Sequence, residues 1–112
     1  MIDSYTFGEI IIAGQKYTKD VIIGVDAVHP DWWRESGHVL SINDLNVVLV
    51  EKPEVLIIGT GAMGVMHVPH HCLNELKKKG IEAHIHKTEK ACELYNALHK
   101  KRKVVAALHL TC

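Results

Sequence analysis

The chain has 112 residues, 47% of them hydrophobic and 23% charged. That length and balance predict one folded unit over 1–112 and argue against long disorder, and no apolar run approaches the ~20 residues needed to cross a bilayer. Thirteen basic and thirteen acidic side chains cancel, which speaks against a nucleic-acid-binding domain with its net basic face.

The cancellation hides an asymmetry. Residues 1–56 carry four basic against nine acidic side chains, a net of −5, and residues 57–112 carry nine against four, a net of +5. Much of the basic charge lies in Lys77-Lys78-Lys79 and Lys100-Lys101-Arg102-Lys103, near the carboxyl ends of expected helices, where it complements the helix dipole. The opening Met1-Ile2-Asp3-Ser4-Tyr5 lacks the basic and apolar regions of a secretory signal. Cys72, Cys92 and Cys112 form no Cys-x-x-Cys pair and read as reduced thiols. The expected location is cytoplasmic, with no membrane partner.

In chain order, Tyr5 to Ile12 and Tyr17 to Val25 are rich in β-branched and aromatic residues and flank the turn signal Ala13-Gly14-Gln15-Lys16, which predicts an N-terminal β-hairpin. Asp26 to Gly37 is an irregular stretch holding Pro30, Trp32 and Trp33. Ser41 is a plausible N-cap, with Asp44 in the first turn, for a helix near 42–51 that Lys52-Pro53 stops. A wholly apolar strand buried on both faces is expected near 54–58. Pro69 opens a second helix near 70–79, which Gly80 ends. A strand follows near 82–86. Thr88 is expected to cap a third helix near 89–101, whose apolar face is Ala91, Leu94, Tyr95 and Leu98. A strand near 104–110 closes the pattern. Strands joined by helices favour parallel pairing, so the expected fold class is α/β: a mixed β-sheet with an N-terminal hairpin and a C-terminal parallel βαβαβ part.

Gly59-Thr60-Gly61-Ala62-Met63-Gly64 matches G-x-G-x-x-G directly after a buried strand. In dinucleotide folds those glycines bring a pyrophosphate to a helix N-terminus. Here Val65-Met66-His67-Val68 reads as extended, Pro69 delays the helix, and His86-Lys87 stands where a ribose-binding carboxylate belongs. No cofactor is therefore expected. Two readings remain for the turn: a bend that lets the chain leave the sheet, or exposed amides at Gly59, Thr60 and Gly61 that hold a small anion. Nine histidines raise the question of a metal, but adjacent His70 and His71 diverge by about 100° on a helix and no ligand-spaced motif occurs, so none is expected. Cys72 and Cys92 fall on apolar helix faces, and no nucleophile-and-base pattern or paired carboxylates appear. No catalytic residue is assigned, and an enzyme is the less favoured reading.

Trp32-Trp33-Arg34 concentrates both tryptophans beside a planar cation, a composition common at interface hot spots. The plainer reading makes the rings a cap over the core edge. Arg34 is the only basic residue between Lys19 and Lys52. It is expected either to face the glycine turn across a shared cleft, as a fork for a carboxylate or phosphate, or to pair with a nearby acid such as Asp31 or Glu35.

Phe7-Gly8, Trp33-Arg34, Gly37-His38, Gly59-Thr60-Gly61, Tyr95-Asn96 and Ala107 to Cys112 together resemble a family of small uncharacterised α/β domains. That family includes the adipogenesis-associated domain protein and a mitochondrial respiratory complex I assembly factor. The resemblance covers the chain nearly end to end. It implies a mixed-sheet α/β fold with no established activity and no agreed cofactor. The favoured function is a non-catalytic interaction or assembly-accessory module that binds protein partners, with self-association as a further option. The alternative is a small-molecule or anion-binding protein with its site at Gly59 to Gly61. Candidate site residues are Trp33, Arg34, Gly59, Thr60 and Gly61.

Overall fold

A computed structural model describes all residues, 1–112. Its centre is a five-stranded mixed sheet in the order β5-β4-β8-β6-β7, formed by β4 (Val21–Ile23), β5 (Val28–His29), β6 (Val55–Thr60), β7 (Glu82–His86) and β8 (Val104–His109). The strands β7, β6 and β8 run parallel, and β4 joins β8 antiparallel. Three further strands, β1 (Ile2–Thr6), β2 (Glu9–Ile12) and β3 (Gln15–Tyr17), form a separate antiparallel sheet. The helices are α1 (Asn46–Glu51), entered through a 3-10 turn at Ile42–Leu45, then α2 (His70–Lys78) and α3 (Thr88–Leu98). The fold class is α/β with a mixed sheet and a parallel C-terminal part.

Every residue of β6 and β8 is buried, and alternate side chains serve opposite faces. Val55, Ile57, Ala106 and Leu108 pack with Ile10 and Ile12 of β2 and with Ala91, Cys92 and Tyr95 of α3. Leu56, Ile58, Val105 and Ala107 pack with Leu45, Val48 of α1 and Leu76 of α2. Each fully buried aliphatic side chain contributes about 1.5–3 kcal/mol of hydrophobic stabilisation, so these central strands anchor everything around them. No helix is long and apolar enough to cross a membrane.

Helix punctuation follows local chemistry. Ser41 and Asp44 form a capping box before α1, and Lys52 ends that helix in the left-handed conformation. Pro69 precedes α2, and Gly80, at φ 76°, follows it.

The N-terminal hairpin is corrected in two ways. What reads as one strand from Tyr5 to Ile12 is broken at Phe7-Gly8, where Gly8 takes φ 77°, so β1 and β2 make a first hairpin and β2 and β3 a second. The run from Tyr17 to Val25 is also two strands in two sheets, separated by Thr18, Lys19 and Asp20. Gly8 N–H donates to Leu110 O at 2.8 Å, Tyr5 Oη donates to the same oxygen at 2.8 Å, and Asn96 exchanges two bonds with the Ile2 backbone. These contacts seat the hairpin on α3 and the end of β8.

Candidate functional site

The carboxyl ends of β6 and β8 lie side by side, with Thr60 in register with His109. Asp20, in the gap between β3 and β4, reaches the same place. Its Oδ1 accepts the Leu110 amide at 2.7 Å, and its Oδ2 lies 2.7 Å from His109 Nδ1 and 2.8 Å from Arg34 Nη1. The side chains of Arg34 and His109 are only 5% and 7% exposed, and that of Asp20 15%. A charged pair in such a setting persists because each partner would be costly to leave alone.

Hydrogen-bond chemistry orders this trio. Arg34 Nη2 lies 3.1 Å from His109 Nδ1, but one ring nitrogen cannot both donate to Asp20 and accept from Arg34. The shorter contact assigns the proton: Nδ1–H donates to Asp20, and Arg34 Nη2 donates to Gly37 O at 3.1 Å. Arg34 Nη1 is close to Asp20 but its N–H points off line, so that contact is an ion pair rather than a directed hydrogen bond. Burial alone raises the pKa of the Asp20 carboxyl. Hydrogen bonds from His109 and the Leu110 amide, with the Arg34 guanidinium beside the group, outweigh it and hold the carboxyl below its ordinary value.

The trio fixes the loop that carries the tryptophans. Trp32 N–H donates to Asp20 O at 2.8 Å, and Trp32 Nε1–H donates to Asp44 O at 2.9 Å. Arg34 covers the Trp32 ring, its guanidinium carbon 4.6 Å from the ring centroid. Trp33, between these two anchored neighbours, is 76% exposed. A cleft of about 360 Å³ opens beside it, lined by Thr18, Lys19, Asp20, Asp31, Trp32 and Trp33, with Thr111 at one wall.

The glycine turn is occupied by the chain itself. Gly61 N–H donates to Thr88 Oγ1 at 2.9 Å, Ala62 N–H to Thr111 O at 2.6 Å, and the Met63 and Val65 amides to Cys112 O at 3.2 and 3.1 Å. Gly61 sits at φ 107°, and a Cβ there would overlap the Cys112 backbone. At Gly59 a Cβ would come within 2.9 Å of Leu108 and Thr88 side-chain atoms. Thr60 Oγ1 donates to His86 O at 3.1 Å. Thr88 is not the N-cap of α3. That position is Lys87, without a side-chain cap, and the Thr88 hydroxyl instead donates to His109 O at 2.5 Å while accepting from Gly61.

The five candidate residues thus form two neighbouring groups. Trp33 and Arg34 belong to the anchored loop, Gly59, Thr60 and Gly61 to the turn, and His109 adjoins both through Arg34 and its register with Thr60. Arg34 pairs with neither Asp31 nor Glu35. Its acid is Asp20, fourteen residues earlier in the chain. Sequence reasoning missed Asp20 and the role of His109. The available signal was a polar His109 amid the apolar run Val104 to Leu110, which needs a partner if buried. The histidines His84 and His86 do not join a ligand set, since no three His, Cys, Asp or Glu side chains converge.

The fold is that of a small mixed-sheet α/β protein, and in this chain a buried polar trio braces an aromatic loop at the carboxyl ends of parallel strands. The chain belongs to the family described as "Protein of unknown function (DUF498/DUF598)", which matches residues 2–109. It is 33% identical over 78 residues to NADH dehydrogenase [ubiquinone] 1 alpha subcomplex assembly factor 3 of Danio rerio, a match covering 67% of this chain and 44% of that protein. The Xenopus tropicalis protein of the same name is 28% identical over 112 residues, covering 95% of this chain and 58% of its own length. The chain therefore spans about half the length of these curated relatives. Among solved structures, the conserved hypothetical protein PH1505 of Pyrococcus horikoshii superposes with a TM-score of 0.85 at 24% identity, covering 100% of this chain and 99% of its own. A protein titled MT938 superposes at 0.82 with 28% identity, covering 100% and 98%.

Proposed function

We propose that residues 1–112 act as one non-catalytic interaction module, an assembly-accessory protein that presents the loop around Trp33 to a protein partner in a reducing, cytosol-like compartment. The observation that carries the reading is an indole 76% exposed between two immobilised neighbours. A large ring held ready in water loses little entropy on docking, which is why tryptophan recurs at binding hot spots. The assembly-factor names of the Danio rerio and Xenopus tropicalis relatives support the same direction, and the unpaired thiols of Cys72, Cys92 and Cys112 support the compartment. In this reading Arg34 positions the loop, because its guanidinium is already committed to Asp20, Gly37 and Trp32.

The alternative, an anion held by the amides of Gly59 to Gly61, would have to displace Thr88, whose Oγ1 already accepts the Gly61 N–H, beside a turn whose next amides, Ala62, Met63 and Val65, are taken by the Thr111 and Cys112 carbonyls. The deciding experiment compares tagged chain and its Trp33→Ala variant purified from the native host. The expected result is a partner protein retained by the first and lost by the second at unchanged thermal stability. Identical partner sets would overturn the reading. A small anion that co-purifies with both would favour the alternative.

A further inference from the structure

The cleft beside Trp33 has a chemistry of its own. Its two indoles stand with two carboxylates, Asp20 and Asp31, and one lysine, Lys19. The charge of Asp20 is matched internally by Arg34 at 2.8 Å. Asp31 is exposed and enters no ion pair. It sits at φ 58°, a left-handed backbone that aspartate and asparagine both adopt in turns. One face of the Trp32 ring is already covered by Arg34, so the protein itself uses an indole here as a seat for a guanidinium. Trp33 offers a second, free indole.

We propose that this cleft receives an arginine side chain from an exposed segment of the protein partner, stacked on Trp33 and paired with Asp31. The inference rests on the interaction-module reading and specifies its partner. Charge chooses the sign. With Asp20 already matched by Arg34, an incoming anion would meet Asp31 with only exposed, unanchored Lys19 to receive it, whereas a cation finds Asp31 unpaired in a half of the chain that carries −5. Shape chooses arginine over lysine, because a planar guanidinium both stacks on an indole and forks onto a carboxylate. Size limits the guest: about 360 Å³ accommodates one long side chain and leaves the partner's backbone outside. Lys19 has room to swing into solvent as the guest enters, since it makes no ion pair with Asp31.

The test titrates the full chain with acetyl-Gly-Arg-Gly amide and with the same peptide carrying citrulline, the neutral isostere of arginine, following amide NMR shifts of residues 18–34 and the indole N–H signals of Trp32 and Trp33. Saturable binding of the arginine peptide is expected, with the citrulline peptide about fivefold weaker or more. Asp31→Asn should weaken the arginine peptide by a similar factor while leaving the loop folded, since asparagine tolerates the left-handed backbone. Trp33→Ala should remove the response. Equal binding of arginine and citrulline peptides, a phosphoserine peptide binding in their place, or no saturable response would overturn the proposal. Self-association of the chain that Asp31→Asn abolishes would identify a second copy as the occupant and overturn the separate partner. If the arginine peptide fails while Trp33-dependent partner capture persists, the interaction module stands and only this assignment falls.

Discussion

The parallel strands β6 and β8 and the loop from Pro30 to Val39 are held by opposite kinds of force. In the strands every side chain is buried and most are aliphatic, so their position follows from apolar area and close packing. None of the loop's own residues is fully buried, and Trp32 alone of them packs against the core. The loop is held by Asp20, Arg34, His109 and Asp44, through the buried polar trio and bonds to the Trp32 amide and indole. The contrast shows how a small domain keeps an exposed tryptophan fixed: the core supplies stability, and a few buried polar contacts transmit it to a surface that must stay apolar and accessible. Core strands tolerate a methylene lost at one point, whereas a polar brace fails when one partner goes.

Breaking the brace is expected to have the largest effect. Asp20→Ala leaves the Arg34 guanidinium buried without its counter-ion, and urea unfolding should register a loss of about 3–5 kcal/mol. Leu56→Ala, a cavity in the core against α1 and α2, should cost a comparable 2–5 kcal/mol, about what buried leucine truncations cost elsewhere. The two should differ in kind. Asp20→Ala should mobilise the indoles of Trp32 and Trp33, seen as lost dispersion of their NMR signals, and Leu56→Ala should not. A stable Asp20→Ala chain with a rigid loop would erase the distinction between the two regions.

Next in size is the glycine turn at the end of β6. Gly61→Ala places a Cβ on a residue at φ 107° and against the Cys112 backbone. Backbone strain alone costs about 1–3 kcal/mol, and the carbonyls of Thr111 and Cys112 lose their seat on the Ala62, Met63 and Val65 amides. Faster hydrogen exchange at those three amides is the expected signature. Unchanged exchange would mean that residues 111–112 are held by something other than the turn.

The same division governed what could be read from the sequence. The apolar run of Val55 to Ile58, the helix face of Ala91, Leu94, Tyr95 and Leu98, the Ser41–Asp44 cap and the Gly80 stop all speak through neighbours one to four residues away, and each appears where periodicity or capping puts it. The break at Phe7-Gly8 was hidden because β-branched residues continue on both sides and only a positive φ at Gly8 betrays the turn. The pairing of Asp20 with His109 spans 89 residues, and no local spacing encodes it. Thr88 looked like a cap because threonines often are, yet its hydroxyl is taken by Gly61 and His109. Trp33 and Arg34 were conspicuous by composition, but their opposite fates, one in water and one buried, depend on that distant carboxylate.

Acid should weaken the brace before it weakens the strands. The ordinary value for the Asp20 carboxyl is 3.8, and its hydrogen bonds hold it lower in the folded chain. The unfolded chain therefore takes up the proton first as pH falls. The stabilisation from Asp20 is complete above the unfolded value and disappears as pH drops through the folded one. Urea midpoints measured from pH 7 down to about 2 should fall, and Asp20→Asn should flatten that slope. A wild-type curve parallel to that of Asp20→Asn would show that the carboxylate contributes nothing the amide cannot.

The smallest effect on stability is expected at the residue that matters most for the proposed function. Trp33 lies one position from Arg34, yet its ring is 76% exposed and carries none of the loop's hydrogen bonds, which run through Trp32, Arg34 and Glu35. Removing it takes away little buried area, and surface changes of that kind stay within about 0.5 kcal/mol. Trp33→Ala should therefore unfold at the wild-type urea midpoint and keep the Asp20–Arg34–His109 trio intact, checked by the amide shift of Leu110, which donates to Asp20. Against that unchanged background any loss of partner or peptide binding belongs to the indole itself. A clear drop in stability would instead make Trp33 a lid over the core edge. The comparison between a packed core and a presented loop would then lose its exposed member.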